Sequence, residues 1–294
     1  MRKLAILLFR KGMAFFSGRG LTRFGPVMSM RLLALRFYQT RLTPGVAMVQ
    51  GHKMYLDSRD SLLLSVFGVH EPTETQLVTD TVRPGDTVLD IGANIGYYTL
   101  ILAKCVGEQG RVYAFEPDPS NFALLKKNVE ANGYSNVVLE QKAVSDRSGS
   151  IRLYLSQDHK ADHRTYDSGD GREYLDVESV RLDEYFKDYQ GLIGFVKMDV
   201  QGAEAGVIEG ARSLLLRNPG LQMIMEYDTA LLKTSGADPE SPLKSLRKHG
   251  FDFYEIDELH AAVQPVAVED LLASYHAGRE IGTNLLCVRG VHEA

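Results

Sequence analysis

The sequence has little cysteine, no apolar run near its start long enough to cross a bilayer, and no acid at all in its first 42 residues. Its two cysteines, Cys105 and Cys287, lie far apart in apolar runs. That pattern suits buried thiols in a reducing compartment and argues against a disulfide framework. No Cys/His spacing suggests zinc, and the metal expectation from composition is none. The stretch Leu4–Phe9 is far short of the roughly 20 residues a spanning helix needs. It is also shorter than a typical signal core, and no clear small-residue cleavage site follows it. Residues 1–42 carry seven Arg and two Lys, and the first acid is Asp57. Those nine leave 24 of the 33 basic residues for the rest of the chain, against all 38 acids, a balance of −14. An acidic body argues against general nucleic-acid binding. There are no internal repeats and no low-complexity tract. The 44% hydrophobic and 24% charged content otherwise fits one large globular α/β domain with an extension.

The chain is organised around Asp86–Tyr98, which reads as buried strand, glycine turn and helix. Val88, Leu89 and Ile91 follow the turn signal Pro84-Gly85. Gly92 and Gly96 bracket a turn where backbone could approach a ligand closely. The dinucleotide fingerprint would put a second glycine where Asn94 stands. Asp90, two residues before the first glycine, would repel a pyrophosphate and suits a cationic amino group, such as the methionyl end of S-adenosylmethionine. Glu116, closing the next apolar run, is placed to accept both ribose hydroxyls. That acid does not separate S-adenosylmethionine from NAD; the loop does so better. A ligand-free turn is the plain alternative, but two strand-end acids without partners are costly.

Four blocks carry a family resemblance: Asp90-Ile-Gly-Ala-Asn-Ile-Gly-Tyr-Tyr98, Phe115-Glu-Pro117, Ala143-Val-Ser-Asp146 and Lys197-Met-Asp-Val-Gln-Gly-Ala-Glu204. In this order they resemble the FkbM family of S-adenosylmethionine-dependent methyltransferases, over about Glu71 to Arg289. The resemblance implies a Rossmann-like, doubly wound seven-stranded sheet with an antiparallel last strand. It implies a cofactor site of Asp90, Gly92, Ala93, Asn94, Gly96, Tyr97, Tyr98, Glu116, Pro117 and Asp199. Glu71, from a Glu-Pro pair near the methionyl end, joins them, with His70 at the rim. It implies acceptors among sugar, glycan, lipid-linked glycan or natural-product hydroxyls. The family usually has an acid where Gln201 stands. That departure puts a base or metal role at position 201 in doubt, while Asp199 and Glu204 are retained.

In chain order, residues 1–45 read as a basic amphipathic helical extension, residues 46–82 as a cap region and residues 83–294 as the methyltransferase domain. Two readings of residues 1–42 stay open: docking on an anionic membrane surface, or a helical cap on the domain or on a second copy in a homodimer. The corresponding location is cytoplasmic, or peripheral at the inner face of the membrane. Residues 46–70 suit short strands or a hairpin, and Thr73–Val82 a helix. Asp118-Pro119 opens another helix by cap and fixed φ. Ala143, Val144 and Ser145, with Asp146, follow the third strand where adenine should lie. Ser156–Tyr174 is a long polar loop, expected as a lid; His159, Asp162 and His163 there suit substrate contact, a base, a metal or plain solvation.

Ile193–Asp199 is the fourth core strand, with Asp199 across from the glycine loop. Lys197 shares its face by period two. A helix is expected over Ala203–Leu216. Leu221–Tyr227 is the fifth strand and brings Glu226 toward an acceptor. Asp199, Glu226 and His163 are the candidate catalytic residues. Asp199 and Glu226 also resemble the pair that holds Mg²⁺ in some O-methyltransferases, but the third acid is not evident. The reading is therefore an S-adenosylmethionine-dependent methyltransferase, acting on oxygen. The rivals are an NAD-linked oxidoreductase and a non-catalytic cofactor-binding protein.

Overall fold

The computed structural model describes Leu33, Phe37, Tyr38, residues 42–157 and residues 159–290. The helical extension expected over residues 1–45 therefore lies almost wholly outside the described residues. No helix among the described residues is long and apolar enough to cross a membrane. The chain divides into two compact units between His70 and Glu71.

In the first unit, strands β1 (Val46–Val49) and β2 (His52–Tyr55) form an antiparallel hairpin. Gln50 and Gly51 make its two-residue turn, both with positive φ (49° and 83°), the geometry that matches strand twist. The one-turn helix α1 (Leu64–Phe67) follows. Buried Asp60 accepts the Leu64 and Ser65 backbone N–H groups and so holds its start.

The second unit opens with helix α2 (Pro72–Thr81), which the unit boundary groups with the sheet rather than with residues 46–70. Then come β3 (Thr87–Ile91), α3 (Tyr97–Val106), β4 (Arg111–Phe115), α4 (Pro119–Ala131) and β5 (Val137–Glu140). Next are β6 (Ala143–Val144), β7 (Gly149–Tyr154), β8 (Tyr174–Val180), α5 (Leu182–Tyr185) and β9 (Phe195–Met198). After these come α6 (Glu204–Gly210), α7 (Arg212–Arg217), β10 (Gln222–Asp228), α8 (Thr229–Thr234) and α9 (Ser241–Lys248). The chain closes with β11 (Phe251–Asp257), β12 (Ala262–Pro265), α10 (Val268–His276) and β13 (Gly282–Arg289).

The main sheet has the order β12-β11-β13-β10-β9-β3-β4-β5. Neighbouring strands from β10 to β5 pair in parallel, whereas β13 runs antiparallel between β10 and β11. β3 and β9 read as near-continuous apolar runs because central parallel strands are covered on both faces. Their inner residues pack with Phe115, Val207, Leu214 and Met225 in one core. Chain order reverses at β3/β9, and such switch points are where doubly wound sheets bind ligands.

Asp118 caps α4 by accepting the Asn121 N–H at 2.8 Å, with Pro119 in the first turn. Three features depart from the sequence reading. The sheet has eight strands, because β12 returns on β11 as an edge hairpin. β6, β7 and β8 form a separate three-stranded sheet. The helix expected over 203–216 is two helices that break at Ala211. Beside that break, a Cβ on Gly210 would lie 2.1 Å from the Ser145 carbonyl oxygen, so this segment is held tight against the chain after β6.

Candidate functional site

The site starts where β3 ends. Gly92 and Ala93 donate their N–H groups to the Phe115 carbonyl, each at 3.0 Å, and Asp199 donates its own to the Ile91 carbonyl. Gly92 has φ 83°, and a Cβ there would stand 1.9 Å from the Asp199 carbonyl oxygen. A Cβ on Gly96, φ 93°, would meet Leu125 Cδ1 at 2.7 Å. Both glycines are therefore demanded by the protein's own packing, not only by the approach of a ligand. Asn94 between them is also left-handed, and its Oδ1 accepts the Ile95 N–H.

Glu116 is buried. Its Oε2 accepts the Asn94 N–H and its Oε1 the Asp118 N–H, both at 2.8 Å. Pro117 lies between Glu116 and Asp118 in the chain. Burial pushes this carboxyl up to about 8, against the pull of those two N–H groups. Each oxygen keeps a lone pair for a hydroxyl. Asp90 is buried beside it in sequence order of the strands, and accepts Thr99 Oγ1 at 2.5 Å. Burial raises it to about 6, opposed by Thr99 and by the Lys197 charge.

Lys197 faces Asp90 across the β3–β9 pairing. Its ammonium lies 2.9 Å from Glu74 Oε1, with side-chain exposures of 2% and 0%. Burial alone would lower the lysine, but the charges of Glu74, Asp199 and Glu71 outweigh it and hold it protonated. Asn284 on β13 donates to Glu71 at 3.0 Å and to Glu74 at 2.7 Å. Tyr98 donates to Glu71 at 3.0 Å, Tyr97 shares a hydrogen bond with Thr75, and Glu258 accepts the Thr73 and Glu74 N–H groups. This network ties the start of α2 to β9, β13, helix α3 and the turn after β11. Glu74 and Asn284 were not among the residues singled out from sequence. The signal for them was Lys197 itself, a charge in a buried strand that needs a partner.

Asp199 and Glu226 are brought together through Gln201. The Gln201 amide nitrogen lies 2.8 Å from Asp199 Oδ1 and 2.8 Å from Glu226 Oε2. Burial, then the charges of Asp199 and Glu204, push Glu226 up to about 9. Glu204, also buried, accepts the Gly202 N–H and is raised by burial to about 7. Beside Glu226 opens a cavity of about 560 Å³ lined by Glu71, Asp228, Glu255–Glu258 and Gly282–Asn284.

The remaining candidates lie elsewhere. Ala143 and Val144 are buried in β6, paired with Ser179 and Val180, and the Ser145 N–H donates to the Val180 carbonyl. Ser145 Oγ turns to Asp146. The expected backbone edge for adenine is thus partly occupied within the small sheet. His163 accepts the Ser156 N–H on Nδ1, and its Nε2 lies 4.0 Å from Asp118 Oδ2. Burial pulls its pKa down, against the Asp118 charge. Asp118 follows β4, three strand spacings or about 14 Å from β10. His163 is packed at the β4 end of the sheet, against Asp118. Asp162 is held by Arg164 and Arg172. Among the described residues no group of three His, Cys, Asp or Glu side chains converges as a metal site. The loop does reach the site at one point, where Tyr166 donates to the Gln201 carbonyl at 2.9 Å.

Strand order, reversed last strand, glycine loop and strand-end acids define a Rossmann-like methyltransferase. Comparison with known proteins gives the particular family. The methyltransferase FkbM domain model matches residues 90–260, and the chain belongs to the FkbM methyltransferase family. It is 31% identical over 173 residues to the 2-O-methyltransferase NoeI of Sinorhizobium fredii, covering 51% of this chain and 69% of that protein. It is 40% identical over 77 residues to the 31-O-demethyl-FK506 methyltransferase FkbM of Streptomyces tacrolimicus, covering 26% of this chain and 29% of that protein. The crystal structure of methyltransferase FkbM from Methylobacillus flagellatus aligns with a TM-score of 0.42 at 13% identity, over 90% of this chain and 60% of that one.

Proposed function

We propose that the chain transfers a methyl group from S-adenosylmethionine to a hydroxyl oxygen of a sugar, glycan or natural product. The observation that carries this reading is the cavity beside Glu226, which Gln201 links to Asp199, whose carbonyl packs against Gly92 of the glycine loop. The two relatives, a 2-O-methyltransferase and a 31-O-demethyl-FK506 methyltransferase, support oxygen as the target.

The donor set fits the cofactor. Glu116 retains acceptor capacity at the end of β4 for a ribose diol, and Asp90, Glu71 and Asp199 give the other end the negative field a cation needs. When bound, S-adenosylmethionine supplies an electrophilic methyl on a sulfonium. The protein's own part is alignment and proton removal. Alignment of two reactants is worth roughly 7–11 kcal/mol. Glu226 is the base on the cavity wall, where its carboxylate would take the proton of an acceptor hydroxyl. Burial keeps Glu226 protonated near neutrality in the ligand-free protein, and a cation beside Asp199 favours its ionised form. The test is S-adenosylhomocysteine release on a panel of monosaccharides, oligosaccharides, lipid-linked glycans and polyketide alcohols. Release with at least one hydroxyl acceptor supports the reading. Release only with amines, or NAD-dependent oxidation in its place, would remove it.

A further inference from the structure

Gln201 sits between the two carboxylates that end β9 and β10. A primary amide carries two N–H donors on one nitrogen, one for each acid. The reverse orientation would set its oxygen against two carboxylates, so the chemistry fixes which end faces them. The turn that carries it is itself pinned. Gln201 has φ 52°, its carbonyl accepts Tyr166 Oη, and a Cβ on Gly202 would lie 2.7 Å from that same oxygen. The amide is therefore held from behind as well as in front.

We propose that Gln201 is a positioning residue for methyl transfer, whose amide ties Glu226 to Asp199 and keeps the Glu226 carboxylate both aimed at the acceptor cavity and able to ionise. The inference rests on the reading of Glu226 as the base. The groups that face Glu226 are Asp199 and Lys197 from β9, Glu204 from α6 and Asp228 from its own strand. The cavity wall adds Glu71, Glu255, Asp257 and Glu258. Of these only Lys197 is positive, and Glu74 already holds it at 2.9 Å. An acid at position 201 would add one more negative charge at the crowded point. The amide adds two donors instead, and donors to a carboxylate favour its charged form.

The experiment is a carboxyl titration of the full-length protein labelled with ¹³C at the glutamate side-chain carboxyl. The Glu226 resonance is assigned by its loss in Glu226→Gln. Gln201→Leu keeps the bulk and removes the donors; Gln201→Glu keeps the shape and reverses the polarity. Both are expected to bind the Glu226 proton roughly tenfold more tightly or better, moving its midpoint up by at least about one pH unit. S-adenosylhomocysteine affinity and thermal unfolding report whether each variant is folded. If Gln201→Leu does not fold, Gln201→Glu decides alone. A Glu226 midpoint in the folded variant within about 0.3 pH units of the parent overturns the proposal. Undiminished S-adenosylhomocysteine release by Glu226→Gln would instead overturn the base reading beneath it.

Discussion

Glu74→Ala should cost far more than any surface change, because it strands a buried charge. Lys197 and Glu74 are essentially sealed from water, 2.9 Å apart. Asn284 donates to the same carboxylate, while Glu258 accepts the Glu74 backbone N–H. Removing one partner of such a pair typically costs about 3–5 kcal/mol, since the other charge is left without compensation. In a chain of this size each kcal/mol is worth roughly 2–4 °C in Tm, so the expected loss is roughly 6–20 °C. Lys197→Met should cost less. The carboxyl left behind can take a proton, since burial already pushes it upward and Lys197 is what opposes that push. The double change Lys197→Met with Glu74→Leu should recover much of the loss, as replacing both ends of a buried pair is often neutral or stabilising. Urea unfolding of these variants at neutral pH, with Glu74→Leu added as the second single that closes a double-mutant cycle, measures the coupling. A Glu74→Ala loss below about 1 kcal/mol, or a double variant worse than both singles, would refute the reasoning.

Further outcomes follow from the same geometry. Gly92→Ala should abolish stable folding or cost several kcal/mol, since its Cβ would stand 1.9 Å from a backbone oxygen and φ is 83°; soluble yield and circular dichroism check it. Glu226→Gln should lower kcat roughly 10²–10⁴-fold with little change in S-adenosylmethionine affinity. The raised carboxyls at Asp90 (about 6), Glu204 (about 7), Glu116 (about 8) and Glu226 (about 9) each favour the protonated folded state. Their contribution is complete below the unfolded pKa of about 4 and is lost as pH rises from there through these values, so the ligand-free Tm should fall between about pH 4 and 9. A cation and two ribose hydroxyls favour the ionised forms, so cofactor binding at pH 7 should release about one to two protons. Calorimetry in buffers of different ionisation enthalpy counts them; net uptake would contradict the assignment.

Much of the fold was readable because the sequence states it locally. β3, β4 and β9 are short apolar runs closed by an acid or a glycine, and the Asp118-Pro119 cap marks α4 to the residue. The edge strand β12 was not readable: Ala262–Pro265 is largely exposed and its only support is the pairing to β11. The small sheet was equally hidden, because β7 and β8 alternate like any half-buried strands and nothing local says which sheet they join. At the site, the acids of the glycine loop and strand ends stood out as costly charges. Asn284 and Glu74 did not, because their partners lie far away in sequence, and Gln201 showed only as a departure from the family pattern. For His163 the sequence shows only a polar loop histidine; its place between Asp118 and Ser156 comes from tertiary contacts.

The most direct test is calorimetric titration of S-adenosylmethionine, S-adenosylhomocysteine and NAD into the full-length protein, with Glu116→Gln and Asp90→Asn beside it. Binding of the first two and not of NAD is expected. Each variant should weaken it roughly tenfold or more, the scale of a lost hydrogen bond or field at a charged group. Tighter binding of NAD, or no binding of S-adenosylhomocysteine by the folded protein, would contradict the account.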